Sequence, residues 1–123
     1  MKTYEEIKAK KDYIRQLCSA MSTEQVAQKN LLKEQIKKQQ IICNEEANRG
    51  WCDDRIYDAT IMAVDDISVY VNLSVGKFEQ RFYTIELRDD DYDIIDSSAP
   101  ATAVMKDIVG YFIWPIIFPR LGD

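Results

Sequence analysis

Ile67-Ser68-Val69-Tyr70-Val71-Asn72-Leu73-Ser74-Val75 is the stretch that decides the fold. Aliphatic side chains alternate with polar or amphipathic ones along its whole length, which is the two-residue period of a β-strand and cannot be laid on a helix. The alternation predicts that Ile67, Val69, Val71, Leu73 and Val75 face a core. It predicts equally that Ser68, Tyr70, Asn72 and Ser74 form a face that is wet or meets a partner. Working outward, residues 56–64 and 78–87 carry the same period and are joined to this strand by Asp65-Asp66 and Gly76-Lys77, so an antiparallel meander follows. A short further strand at residues 92–95 lies within the acidic stretch after Leu87.

Upstream of Gly50 the period lengthens to that of a helix. Tyr4, Ile7, Ile14, Leu17, Cys18 and Met21 fall on one helical face, with Lys and Glu opposite. Ser22-Thr23-Glu24-Gln25 is a capping-box pattern that starts a second helix, whose seam is Val26, Leu32, Ile36 and Cys43 and whose end is expected near Asn48-Arg49-Gly50. After the acidic loop, Pro100 and Thr102 open a short helix over residues 101–112 that Pro115 closes. The expected fold is therefore a single α+β domain over residues 1–123. Residues 1–49 form an N-terminal helical hairpin, and residues 50–123 form an antiparallel three- to four-stranded β-meander with a short C-terminal helix.

Charge divides at the same place. Residues 1–46 carry 9 Lys/Arg against 7 Asp/Glu, and residues 47–123 carry 7 against 14. A net charge of −5 disfavours a nucleic-acid binder, which needs a basic surface to neutralise phosphates. The three cysteines, Cys18, Cys43 and Cys52, and an N-terminal stretch without an apolar leader lead us to expect a reduced, cytoplasmic chain, with Cys18 and Cys43 as small buried apolar residues. The apolar run at residues 108–118 is shorter than the roughly 20 residues needed to span a bilayer, so no membrane partner is expected. It reads as core or as a subunit contact through Tyr111, Phe112, Trp114 and Phe118.

The chain contains no histidine. The commonest general base is thus missing, and no Ser–His or Cys–His pair can be assembled. Asp89, Asp90, Asp91, Asp93 and Asp96 invite a calcium reading, but neither Gly at the sixth position nor Glu at the twelfth position of an EF-hand loop is present. No metal or other cofactor is expected. There is no glycine-rich phosphate loop either. A nucleotide can instead be held by a stacked ring and by forked arginines, and Arg55, Arg81, Phe82, Tyr83 and Arg88 form the candidate constellation. A competing reading makes the aspartate loop a mimic of nucleic-acid phosphates, and the chain an acidic inhibitor of a nuclease or other defence protein.

A helical hairpin, a meander and a short C-terminal helix in a small chain without catalytic residues resembles the first described family of phage-encoded Thoeris anti-defence sponges. That resemblance implies a homo-oligomer that sequesters a small anionic, cyclic nucleotide signal between protomers without cleaving it. By the same resemblance Arg55 contacts the phosphates, Phe82 stacks on the adenine and Met105 packs beside it. The ligand-binding residues expected are thus Arg55, Phe82, Arg88 and Met105, with no catalytic residue.

Overall fold

The computed structural model describes residues 2–47, 55–76, 79–88 and 91–100. Two helices, α1 (Tyr4–Ala20) and α2 (Thr23–Ala47), precede four strands, β1 (Arg55–Val64), β2 (Ser68–Gly76), β3 (Arg81–Arg88) and β4 (Asp91–Ser97). The strands form one antiparallel sheet in the order β1-β2-β3-β4. The α+β class, the pair of N-terminal helices and the meander are as the sequence predicts. The fourth strand is longer than its sequence signal. The expected C-terminal helix, the close of α2 at residues 48–50, Cys52, Met105 and the apolar run at 108–118 lie outside the described residues.

Each helix starts on a reciprocal cap. Thr3 Oγ1 accepts the Glu6 N–H at 3.2 Å while the Glu6 carboxylate accepts the Thr3 N–H at 3.1 Å. Ser22 and Gln25 repeat the arrangement for α2, at 3.2 and 2.9 Å. Each box satisfies two helix-end donors that otherwise have no partner, and the second marks the break between the helices at Met21-Ser22 without any glycine or proline.

The two helices take opposite faces of the sheet. Leu32, Ile36 and Cys43 of α2 pack on Ile56, Ala59, Ile61, Val69, Val71, Leu73, Val75, Tyr83, Ile85 and Leu87. Ile14 of α1, with Leu17 and Met21 beside it, packs on Ala63, Tyr70 and Ile95. Because alternate residues of β2 appear in the two clusters, the clusters lie on its two sides. The expectation that this second face is wet or meets a partner is corrected for the part that α1 covers. Ser68, Tyr70 and Ser74 are buried, Tyr70 at 2% exposure, and only Asn72 of that row is open. Ile67, expected in the core, precedes β2 in the turn and is 68% exposed. Val26 of the α2 seam is exposed too, as is Cys18, whose thiol donates to the Met62 carbonyl at 3.1 Å rather than packing in the interior.

Strand β1 lies at a sheet edge and is irregular, with register shifts between Ile56 and Asp58 and between Ile61 and Ala63. A bulge leaves main-chain groups without ladder partners, and α2 supplies them. The Asn44 side-chain amide donates to the Ile56 carbonyl at 2.8 Å and accepts the Ile56 N–H at 2.9 Å, while Gln40 donates to the Ile56 and Tyr57 carbonyls at 3.0 and 3.1 Å. The Cys18 thiol serves the second bulge through Met62. The β1–β2 turn is held by Asp65, whose Oδ1 accepts the N–H groups of Ile67 and Ser68. At the other end of β2, a Cβ on Gly76 would collide with the Glu79 carbonyl oxygen, so only glycine fits there.

No helix of the described residues is long and apolar enough to cross a membrane. With a core on each face, Leu32→Ala and Ile14→Ala should each lower the unfolding free energy by about 2–5 kcal/mol in urea titrations. A loss within about 0.5 kcal/mol for Ile14→Ala, the range of a surface change, would return the α1 face to solvent.

Candidate functional site

α1 covers only the end of its sheet face nearest the β1–β2 turn, where Tyr70, Ala63 and Ile95 lie. Among the described residues the rest of that face is an open trough. Two rows of residues cross it in register: Thr60, Asn72, Thr84 and Asp96, then Asp58, Ser74 and Phe82. Tyr57, Gln80 and Ser98 complete the rim, and the space enclosed is about 610 Å³, within the range of small-molecule sites.

Phe82 is the trough's aromatic surface, 56% exposed. Its backbone is pinned on both sides, since its N–H donates to Ser98 Oγ and its carbonyl accepts the Ser98 N–H, each at 2.9 Å. Its neighbour Tyr83 points the other way into the α2-side core, its hydroxyl 3.4 Å from the Pro100 carbonyl. The sequence expectation that Phe82 and Tyr83 occupy opposite faces therefore holds, and Phe82 is the one left outside the core. Polar groups stand around the ring. Thr84 donates to Asn72 Oδ1 at 2.9 Å, and the Ser74 hydroxyl is buried without a hydrogen-bond partner.

Two carboxylates border the trough and both are answered by lysines from the helices. Lys37 reaches Asp58 at 2.7 Å, and this hydrogen bond holds the Asp58 carboxyl below its ordinary range. Asp96 pairs with Lys11. Arg55 is exposed at the start of β1, opposite Gly76, and by strand alternation shares the Phe82 face. The structure thus brings Arg55 and Phe82 to the same end of the sheet.

Arg88 lies elsewhere. It pairs with Ser68 at the far end of β3, six residues or roughly 20 Å from Phe82 at about 3.3 Å per residue. There it borders a groove between α1 and the β1–β2 turn, lined by Lys10, Tyr13, Asp65, Tyr70 and Glu86 among others. Glu86 is 3% exposed, and its Oε2 accepts from Lys10 at 3.0 Å and from the Tyr70 hydroxyl at 2.9 Å. Tyr13 donates to Asp65 at 2.9 Å and meets Tyr70 edge-on, with ring centroids 6.1 Å apart. Burial, then the bond to Glu86, pushes the Tyr70 hydroxyl far above the ordinary tyrosine value; the bond to Asp65, then burial, raises Tyr13. Met105, the fourth expected ligand residue, lies outside the described residues.

The aspartate stretch is partly engaged within the chain: Asp93 pairs with Lys2, and Asp96 with Lys11. Among the described residues no group of three or more carboxylate or cysteine side chains is placed to hold a metal ion. Sequence reading missed Asn72, Ser74 and Thr84 as neighbours of Phe82, and missed the Lys10–Glu86–Tyr70 cluster. The alternation put Tyr70, Asn72 and Ser74 on one face of β2, but which residues stand opposite them depends on register.

No family model, curated protein or solved structure matches the chain. The trough has to be read from its own chemistry: among the described residues, the exposed rings of Phe82 and Tyr57, hydroxyl and amide groups beside them, lysine-paired carboxylates at the sides and Arg55 at the end.

The Asp58–Lys37 pair gives a direct check on that electrostatic picture. Because the folded-state value of Asp58 is depressed, its small stabilising contribution is present above the unfolded carboxyl value of 3.8 and is lost as pH falls through the folded one. In Lys37→Met the Asp58 midpoint should move up toward the ordinary value in a carboxyl-carbon NMR titration. An unmoved midpoint would remove Lys37 as the cause.

Proposed function

We propose that the chain is a non-catalytic binding protein that sequesters a small anionic nucleotide in the open trough. The observation that carries this reading is the ring of Phe82, held rigidly at its backbone and left outside the core on a face it shares with Tyr57, with hydroxyl and amide groups and with two lysine-paired carboxylates. A nucleobase laid on a phenylalanine ring needs no sequence of catalytic groups, only a flat apolar surface with polar atoms at its margin. Asn72, Ser74 and Thr84 stand where the edge of such a base would lie. Arg55, at the same end of the sheet, is the cation for the phosphate.

Uptake without turnover agrees with a chain that has no histidine. It agrees also with the sequestering role implied by the resemblance to the phage anti-defence sponges. A base stacked on one side by Phe82 keeps its other side in water, so a second protomer closing over the trough would complete the site, and we place the ligand between two copies of the chain. The competing view, an acidic surface entering the basic groove of a partner protein, has less to draw on, since Asp93 and Asp96 are already paired with Lys2 and Lys11.

Isothermal titration against cyclic dinucleotides, cyclic trinucleotides and cyclic ADP-ribose isomers tests the reading. Binding of one of them is expected, weakened by Phe82→Ala by about 1–3 kcal/mol, the worth of one stacked base, with the fold retained by circular dichroism. No heat from any of these ligands with folded protein sinks the proposal. Light scattering that returns a monomer, with and without ligand, would remove the second protomer from it.

A further inference from the structure

We propose that the groove between α1 and the β1–β2 turn, at the far end of the sheet from Phe82, is a second binding site, one that takes a guanidinium or primary ammonium group. Its floor is the Glu86 carboxylate. Oε2 is fully engaged by Lys10 and Tyr70, but Oε1 is buried and has no hydrogen-bond partner. Arg88 Nε lies 3.4 Å from that oxygen as an ion pair without hydrogen-bond geometry, and its side chain is 46% exposed, so it can withdraw into solvent. A buried carboxylate oxygen with no donor is a strong acceptor held ready, because its lost hydration has not been replaced.

The charge around it specifies the donor. Lys2 is taken by Asp93, which leaves, among the described residues, Lys10 and Arg88 as the cations of the groove against the carboxylates of Glu6, Asp65 and Glu86. One excess negative charge remains, and a monovalent cation cancels it. The polar alternatives fit less well. Asp65 has spent Oδ1 on the N–H groups of Ile67 and Ser68 and Oδ2 on Tyr13, so the groove cannot offer the six to eight oxygens that calcium takes. A cation carrying N–H groups needs one acceptor and a flat surface. The half-exposed ring of Tyr13, fixed by its hydroxyl on Asp65 and by Tyr70 at its edge, is the surface, and a cation above it gains from the ring's negative face. Exposed Ile67 gives the carbon stem of such a ligand an apolar wall.

Amide ¹H–¹⁵N spectra of the full chain, titrated with methylguanidinium, ethylammonium and tetramethylammonium, test this site. The first two should produce saturable shifts at Ser68, Tyr70, Glu86 and Arg88, and tetramethylammonium, which has no N–H to give, should not. Glu86→Gln should weaken methylguanidinium by about tenfold or more, as expected for loss of a charged hydrogen bond. Arg88→Ala, which removes the competing cation, should tighten it by about two- to fivefold, the scale of an exposed ion pair. A blocked peptide carrying one arginine, run beside methylguanidinium, separates a protein side chain as the natural occupant from a free small cation: the former binds the peptide more tightly, the latter only methylguanidinium. Shifts from tetramethylammonium equal to those from methylguanidinium, or no saturable shift at these residues, overturn the proposal. So does unchanged affinity in folded Glu86→Gln, and if that variant does not fold, unchanged or weaker binding by Arg88→Ala decides against it.

Discussion

A sheet whose second strand buries residues on both of its sides needs a cover on both faces, and this constraint organises everything else in the molecule. One helix cannot lie on two faces, so α1 and α2 have to part at Met21-Ser22 and pass to opposite sides of β1. The covers are unequal. α2 has 25 residues and α1 has 17, so α1 is about 25 Å long at 1.5 Å per residue. Four strands spaced about 4.8 Å apart give a sheet roughly 15–20 Å wide, which α1 can cross, but a helix about 10 Å in diameter cannot cover strands of 7–10 residues along their whole length. The open trough beside Phe82 is what remains. Among the described residues it follows from the length and direction of one helix.

The division of charge along the chain acquires a meaning from the same arrangement. Lys2, Lys10 and Lys11 meet Asp93, Glu86 and Asp96, and Lys37 of α2 meets Asp58 of β1, so the basic segment answers the acidic one across each face. Pairs with exposed members are worth only about 0–1 kcal/mol each, and their value is in setting where α1 lies across the strands. The pair of Lys10 with Glu86 differs in kind. Glu86 is out of water, and a buried carboxylate is tolerated only where donors surround it. Lys10 and Tyr70 are those donors for its Oε2, one from the helix and one from the sheet, so the seating of α1 and the satisfaction of that oxygen are a single event.

Much of this was legible in the residues. The period of Ile67 to Val75 announced the central strand, the Ser22–Gln25 cap announced the break between helices, and Leu32, Ile36 and Cys43 announced the face that α2 buries. The second face was misread because Tyr70 and the serines beside it look solvent-directed when taken one strand at a time. Tyr70 is buried because Glu86 and Asp65 receive its hydroxyl and Ile14 covers its ring, and those partners stand 16, 5 and 56 residues away in the chain. Candidate site residues divide in the same manner. That Phe82 and Tyr83 diverge is a local property of a strand. That Arg55 lies near Phe82 while Arg88 lies at the opposite end is a property of register, and nothing within either residue's neighbourhood encodes it.

The bulged edge at β1 has a consequence for how the sheet can grow. Asn44 and Gln40 occupy the outward main-chain groups of Ile56 and Tyr57, and the Cys18 thiol occupies that of Met62. An incoming strand would have to displace side chains anchored in both helices before it could add to that margin, and the bulges would still break its register. Strand addition is therefore one-sided. Among the described residues, whatever extends this sheet through main-chain hydrogen bonds must approach along β4, which gives the four described strands a polarity from one edge to the other.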